Sequence, residues 1–278
     1  MDKPAGITSH DVVRLARRAY GTRAVGHTGT LDPFATGLLV LLLGAATRLA
    51  RFVEAERKTY LATARLGWRT ETDDLTGQPA SPAADVTRLD PDAVRRALTG
   101  MIGAQRQRPP AYSAKRLAGE RAYAMARRGE ALELAEVPVT VYAVEPIEIR
   151  LPLVVFRTTV SAGTYIRALA RDLGERLDVG GHLTALRREA IGALRVDDAV
   201  PADALHSGVP LLPPEAVLRR FPEVELDAEG RGHAVHGRVL RGPEELEGPA
   251  LLMHDGRLVA VARAAAGRLH PEVVLERP

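Results

Sequence analysis

At 278 residues the chain has room for one large domain, or for a main domain with a small appendage, and either can bury a core. Hydrophobic residues at 46% and charged residues at 26% are ordinary globular usage, which excludes a fibrous or wholly disordered chain, and a net charge of +3 makes the placement of charge more telling than its total. With no cysteine, disulfides, thiolate catalysis and cysteine-ligated zinc are excluded, and a cytoplasmic location is expected.

In chain order, Thr8 and Ser9 precede Val12, Val13, Ala16 and Ala19 at helical spacing, with Arg14, Arg17 and Arg18 opposite, so the first element is an amphipathic helix. Ahead of it, Met1-Asp2-Lys3-Pro4 lacks the apolar core of a secretory signal. The longest apolar run, Leu38 to Leu43, is far too short to span a bilayer, so no membrane partner is expected. From Thr59 the chain alternates, with Tyr60, Ala62, Ala64, Leu66 and Trp68 on one face, which predicts a strand with Tyr60 near its start. Pro79 to Ala84 reads as a loop. Val137 to Val144 and Leu153 to Val160 are rich in β-branched residues and bounded by prolines, and both read as strands. After Gly163, the residues Ile166, Leu169, Leu173 and Leu177 recur at helical intervals, with Thr164 as the expected cap. Pro210, Pro213 and Pro214 mark a break, followed by short β-like pieces at Arg238 to Leu240, Ala250 to Met253, Arg257 to Ala262 and Glu272 to Leu275. No regular βαβ alternation is present, so the fold class is α+β, divided into a main domain over 1–212 and a small β domain over 213–278.

Chemistry concentrates in Gly26 to Leu39. Three glycines and one proline between Gly26 and Gly37 imply a loop of special backbone geometry that brings His27 and Asp32 to a surface. On local grounds alone, Asp32 before Pro33 reads more readily as a helix cap than as a catalyst. The glycine pattern matches neither the phosphate-binding loop of nucleotide triphosphatases nor the dinucleotide fingerprint, so no nucleotide cofactor is expected. His233 and His236 have a suggestive spacing but no acidic or cysteine company, so no metal is assigned. Between Met101 and Glu130 seven basic residues face two acidic ones, which suits either a phosphate-facing surface or a solvated helix face.

The segment from Gly26 to Leu39 resembles the catalytic loop of the bacterial tRNA pseudouridine-55 synthases of the TruB type. Five further segments, in the same order, are similar to motifs of that family. These are Asp2-Lys3-Pro4-Ala5-Gly6-Ile7-Thr8-Ser9; Lys58-Thr59-Tyr60 with Gly67 and Thr70-Glu71-Thr72-Asp73-Asp74; Arg108-Pro109-Pro110-Ala111-Tyr112-Ser113-Ala114-Lys115; Gly163-Thr164-Tyr165-Ile166-Arg167; and His182 to Arg188. The resemblance covers roughly residues 2–190.

It implies a pseudouridine-synthase sheet, largely antiparallel and mixed with flanking helices, and a cofactor-free isomerisation of uridine 55 in the T loop of tRNA. Asp32 is implied as the catalytic carboxylate at the ribose, with Arg167 as an ion-pair partner that lowers its pKa and Asp74 joining their network. Tyr60 is implied to stack on the uracil, although its pattern alone suggests core. Tyr165 and Leu186 match pocket-lining positions, where ordinary packing is the plain alternative. His27 is implied to fill the stack left by the extruded base. Lys3, Tyr112 and Lys115 are further expected substrate contacts. The basic stretch over about 104–130 corresponds to an insertion that closes over the T arm, and 213–278 to a small domain of the PUA type placed against the acceptor stem. A monomer without an obligate protein partner is expected, with tRNA folding assistance as an additional role. The rivals are a guide-RNA-directed synthase, a non-catalytic RNA chaperone and a carbohydrate hydrolase pairing Asp32 with Asp74.

Overall fold

The computed structural model of the chain describes residues 1–113, 116–117, 120–121, 125, 128, 134–207 and 209–276. Lys115 and much of the basic insertion lie outside the described residues.

Strands β1 (Asp2–Lys3), β2 (Val25–Thr28), β3 (Thr36–Leu38), β4 (Val40–Leu43), β5 (Lys58–Leu66) and β6 (Gly103–Gln107) precede the short pair β7 (Arg116–Leu117) and β8 (Glu120–Arg121). The long strands β9 (Val137–Arg150), β10 (Leu153–Val160) and β11 (Gly181–Ile191) follow, then β12 (Leu194–Arg195). Eight of these form one sheet in the order β1-β3-β11-β5-β10-β9-β6, with β12 alongside β11. Only β3 and β11 run parallel; the other pairings in this sheet are antiparallel.

β5 shows why the sheet has a wet and a dry face. Its residues alternate buried and half-buried along its whole length, so Tyr60, Ala62, Ala64 and Leu66 point one way and Thr59, Leu61, Thr63 and Arg65 the other. The dry face is covered by α3 (Pro91–Thr99) and α4 (Ile166–Arg176), which bring Val94, Leu98, Ile166, Leu169 and Leu173 onto it. The helix α1 (Ser9–Ala19) forms as its pattern predicts. Thr8 caps it in a reciprocal box with Asp11, and Val12, Val13 and Ala16 are buried. The short helix α2 (Ala50–Glu54) precedes β5.

β13 (Glu223–Glu225), β14 (Leu240–Arg241), β15 (Gly248–His254), β16 (Arg257–Ala265) and β17 (Arg268–Val274) make a second sheet, ordered β13-β15-β16-β17-β14, with α5 (Ala228–Val235) packed on it. This sheet shares a core with the first part of the chain. Leu251, Met253, Leu258, Val261 and Val273 pack with Leu38, Val40, Leu49 and Phe52, and the connecting Leu218 and Phe221 join them.

Three local expectations are corrected. Thr164 does not cap α4: Tyr165 holds the N-cap position without a side-chain bond, while the Thr164 hydroxyl pairs with Ser161. Trp68 lies beyond the end of β5, because Gly67 takes a positive φ and turns the chain away. The β piece expected at Arg238 to Leu240 begins at Leu240, since residues before it complete the end of α5. That helix had no legible pattern; its start is set by Asp227, whose carboxylate accepts the Gly230 N–H.

Candidate active site

Asp32 sits in a turn, not at a helix start. The Ala35 N–H donates to the Asp32 carbonyl at 3.1 Å with Pro33 in the corner, and strand β3 follows at Thr36. The Asp32 carboxylate is therefore free of capping work.

The loop around it is fastened from beneath. Ser9 Oγ accepts the Leu31 N–H at 2.9 Å and lies 3.2 Å from the Leu31 carbonyl, to which it donates. The Gly6 N–H donates to the Pro33 carbonyl at 2.8 Å. Two buried cations complete the support. Lys3 Nζ donates to the carbonyls of Pro4, Ile7 and Pro33, and Arg188 donates to those of Leu38 and Gly29. A charge taken out of water must be met by several acceptors, and here loop carbonyls supply them. The structure places Lys3 under the loop, with its ammonium donating to main-chain carbonyls on both sides of it. Gly37 makes the close approach possible, since at φ +101° a Cβ there would stand 2.3 Å from the Arg188 carbonyl oxygen.

Helix α4 delivers Arg167 to the carboxylate. Its Nε lies 3.1 Å from Asp32 Oδ2, and its Nη2 donates to Asp32 Oδ1 at 3.1 Å. Nη1 donates to the Thr72 carbonyl at 3.0 Å and to Asp74 Oδ2 at 3.2 Å, and Nη2 also reaches the Tyr112 carbonyl at 2.9 Å. Four hydrogen bonds and the Nε ion-pair contact thereby engage all three nitrogens of the guanidinium, which fixes its plane. Asp74 is fixed in turn, its Oδ1 accepting the Thr72 hydroxyl, the Thr76 N–H and the Thr76 hydroxyl. The side chains of Arg167 and Asp74 are 7% and 5% exposed, whereas that of Asp32 is 31% exposed, so the open end of the network is the Asp32 carboxylate.

Burial pushes the Asp32 carboxyl above its ordinary value. Arg167 opposes that rise, Asp74 adds to it and Lys3 opposes it. Arg167 lowers the value as expected from the sequence, but the loss of hydration outweighs the ion pair and the net shift is upward.

Tyr60 is buried on the dry face of β5, in the cluster that holds Leu31 and Leu186. Tyr165 precedes α4, its N–H donating to Gln107 Oε1 and its carbonyl accepting from Gln107 Nε2. His27 lies half-buried on β2, which runs into the loop; its Nδ1 is buried without a hydrogen-bond partner among the described residues. Burial, then the nearby charges of Arg188 and His10, hold its pKa below the ordinary histidine value, so the imidazole is neutral at pH 7. Tyr112 enters through its main chain, and its side chain is half-buried.

Sequence reasoning missed the residues that orient the named ones. Arg171, one turn after Arg167, donates to Asp73 Oδ2 at 3.0 Å and to the Arg108 carbonyl at 3.0 Å. Gln107, Arg188, Ser9, Thr72 and Thr76 were equally silent. The i, i+4 spacing of two arginines opposite two successive aspartates was the one signal available for the Arg171–Asp73 pair. The assembled site is a rigidly held, partly open carboxylate on a loop whose Leu31 and Ala35 pack in the same cluster as the buried Tyr60 ring, suited to nucleophilic or acid–base work on one bound group.

Comparison with known proteins supplies the chemical context. The family model described as TruB family pseudouridylate synthase (N terminal domain) matches residues 17–166. The tRNA pseudouridine synthase B of Thermobifida fusca is 45% identical, with 99% of this chain and 96% of that protein covered. That of Burkholderia mallei is 42% identical, with 98% and 94% covered. Among solved structures, a Cbf5-Nop10-Gar1 complex contains a chain that superposes with a TM-score of 0.75 at 25% identity, covering 99% of this chain and 84% of that one. A chain of an H/ACA RNP bound to a substrate RNA containing 2′-deoxyuridine gives 0.74 at 23%, covering 99% and 83%, and shares the fold.

Proposed function

The chain belongs to the TruB family of pseudouridylate synthases, and on that premise we propose that it isomerises uridine 55 in the T loop of tRNA to pseudouridine, with Asp32 as the catalytic carboxylate. The reaction breaks the bond from ribose C1′ to uracil N1 and forms one from C1′ to C5, while C5 loses its proton and N1 takes one up. It is redox-neutral. A carboxylate at the sugar can attack C1′ or take a sugar proton, and either route needs an ionised, aimed oxygen. The observation that carries this reading is the engagement of every Arg167 guanidinium nitrogen, which leaves Asp32 as the solvent-reaching charged group of the network.

The target uridine must leave its stack, at a cost of a few kcal/mol. Tyr60 offers a ring to the extruded uracil, with Leu186 and Tyr165 around it. A neutral His27 is suited to fill the vacated stack, because an uncharged ring stacks without a hydration penalty. Tyr112 and Lys115 contact the T arm, residues 213–278 meet the acceptor stem, and the enzyme works as a monomer on bare tRNA.

Tritium release from tRNA transcript labelled at uridine C5 tests the proposal. The wild-type chain releases tritium without a guide RNA or partner protein, and Asp32→Asn does not. Unchanged turnover by Asp32→Asn would remove Asp32 from the chemistry. Release of free uracil would mark a sugar hydrolase instead.

A further inference from the structure

β5 alternates Tyr60 with Thr59, so whatever lies beside Thr59 is on the face of the sheet opposite the Asp32 loop. There the structure has a second concavity, of about 540 Å³, where Arg57, Tyr142, Arg195 and Arg220 converge from four separate parts of the chain. Arg220 is already engaged, with Nη1 2.8 Å from Glu56 Oε1 and Nη2 on the Phe52 carbonyl. Arg57 and Arg195 are exposed and have no carboxylate within ion-pair distance among the described residues. Elsewhere on this face Arg157 is paired with Glu145 and Glu189 and Arg187 with Asp2, while Arg65 stands over the Trp68 ring, outside this concavity. The Arg57 guanidinium carbon stands over the exposed Tyr142 ring, 3.8 Å from its centroid.

Two uncompensated guanidiniums in one concavity call for an anion, and a guanidinium backed by an aromatic ring offers its outer plane to a stacking base. Their setting narrows the class further. Arg220 precedes Phe221 in the core shared by the two sheets, so the concavity opens at the junction between the catalytic sheet and the C-terminal sheet. We infer that this concavity is a second RNA contact, in which Arg57 and Arg195 hold backbone phosphates of the substrate outside the catalytic pocket. The inference rests on the reading of the substrate as RNA. Phosphate contacts of this kind position the nucleic acid and contribute affinity that falls with salt, without reading sequence.

Filter binding of whole tRNA transcript and of a T-arm hairpin across a salt series tests it, with tritium release at saturating tRNA as the second readout. Arg57→Gln and Arg195→Gln each lower the slope of log affinity against log salt by about 1, and weaken binding at low salt, while turnover at saturating tRNA stays at the wild-type value. Arg157→Gln, which removes a paired arginine from the same face, leaves the slope unchanged. Both tested side chains are exposed, and melting curves matching wild type establish that the variants fold. Arg57→Lys and Arg195→Lys retain the salt slope, because a point charge suffices for a phosphate. Wild-type slopes in the Gln variants for both RNAs would overturn the inference. Failure of the wild-type chain to release tritium would instead count against the proposed reaction, and the binding series would still decide whether this concavity meets RNA.

Discussion

Arg167 grips Asp32 with two parallel contacts, Nε to Oδ2 and Nη2 to Oδ1, both at 3.1 Å. The two residues are far apart in the chain, and neither has a local structural duty that demands the other. A fork on a carboxylate fixes direction as well as distance, which a single ammonium does not. Arg167→Lys should therefore lower kcat by about 10²-fold or more while leaving tRNA affinity near wild type, because misdirecting a reacting group acts on the chemical step. Single-turnover kinetics with tritiated tRNA separate the two effects; equal loss in affinity and rate would contradict the aiming role.

The direction of the Asp32 pKa leads to a pH prediction. Burial raises it above the ordinary 3.8, and the charge of Asp74 contributes to the rise. If the ionised form is the active one, the rate falls as pH drops through this raised value, so the acid limb lies above 3.8. Asp74→Asn removes a like charge and should move the limb to lower pH, even though overall activity drops with the loosened Arg167. A pH profile of kcat/KM for both proteins checks the sign, and an upward shift would show that Asp74 does not act on Asp32 through its charge.

Lys58 supplies a stability prediction. Burial first, then the charge of Arg188, depresses its ammonium to about 8. In the unfolded chain it titrates near 10.5, so between those values the unfolded state binds more protons and stability rises with pH. A shift of this size corresponds to about 3 kcal/mol at full effect. Urea unfolding at pH 7.5 and pH 10 should show this contribution in the wild type and its loss in Lys58→Met.

Gly37→Ala should destabilise the chain by about 3 kcal/mol or more. It places a methyl 2.3 Å from the Arg188 carbonyl in a backbone region that side chains avoid. Because β3 pairs with β11 at this residue, the Asp32 loop would shift as well, and tritium release should fall even where the variant folds. A denaturation midpoint equal to wild type would refute the close-packing account.

Arg171 and Asp73 are both buried and paired at 3.0 Å. Arg171 also donates to Asp172 at 2.7 Å, so Asp73→Asn leaves it a carboxylate and should cost less than Arg171→Met, which strands Asp73 and should cost about 3–5 kcal/mol, and the double variant should cost less than the sum of the two. A thermodynamic cycle from urea midpoints measures the coupling, and strict additivity would dissolve the pair.

Much of the fold was legible because its signals are local. β5, β10, the helix α1 and the helix α4 each carry their own periodicity, and a period of 2 or 3.6 is a property of consecutive residues. α5 was illegible because its stretch holds two glycines and little apolar contrast, and it exists by packing on the second sheet. Asp32 shows the same limit at the site. Asp-Pro favours a cap when only neighbours are weighed, and the turn to β3 wins because β3 is held between β1 and β11.

By itself, then, the chain's order of residues determined the α+β elements, the glycine-rich loop and, through its ordered motifs, the family. The tertiary structure decided which side chains meet: Arg167 between Asp32 and Asp74, Lys3 and Arg188 beneath the loop, and Arg57 with Arg195 on the opposite face. It also decided the sign of the Asp32 shift. Desolvation and charge pairing depend on what surrounds an atom in space, and no spacing along a chain encodes how much water has been removed from it.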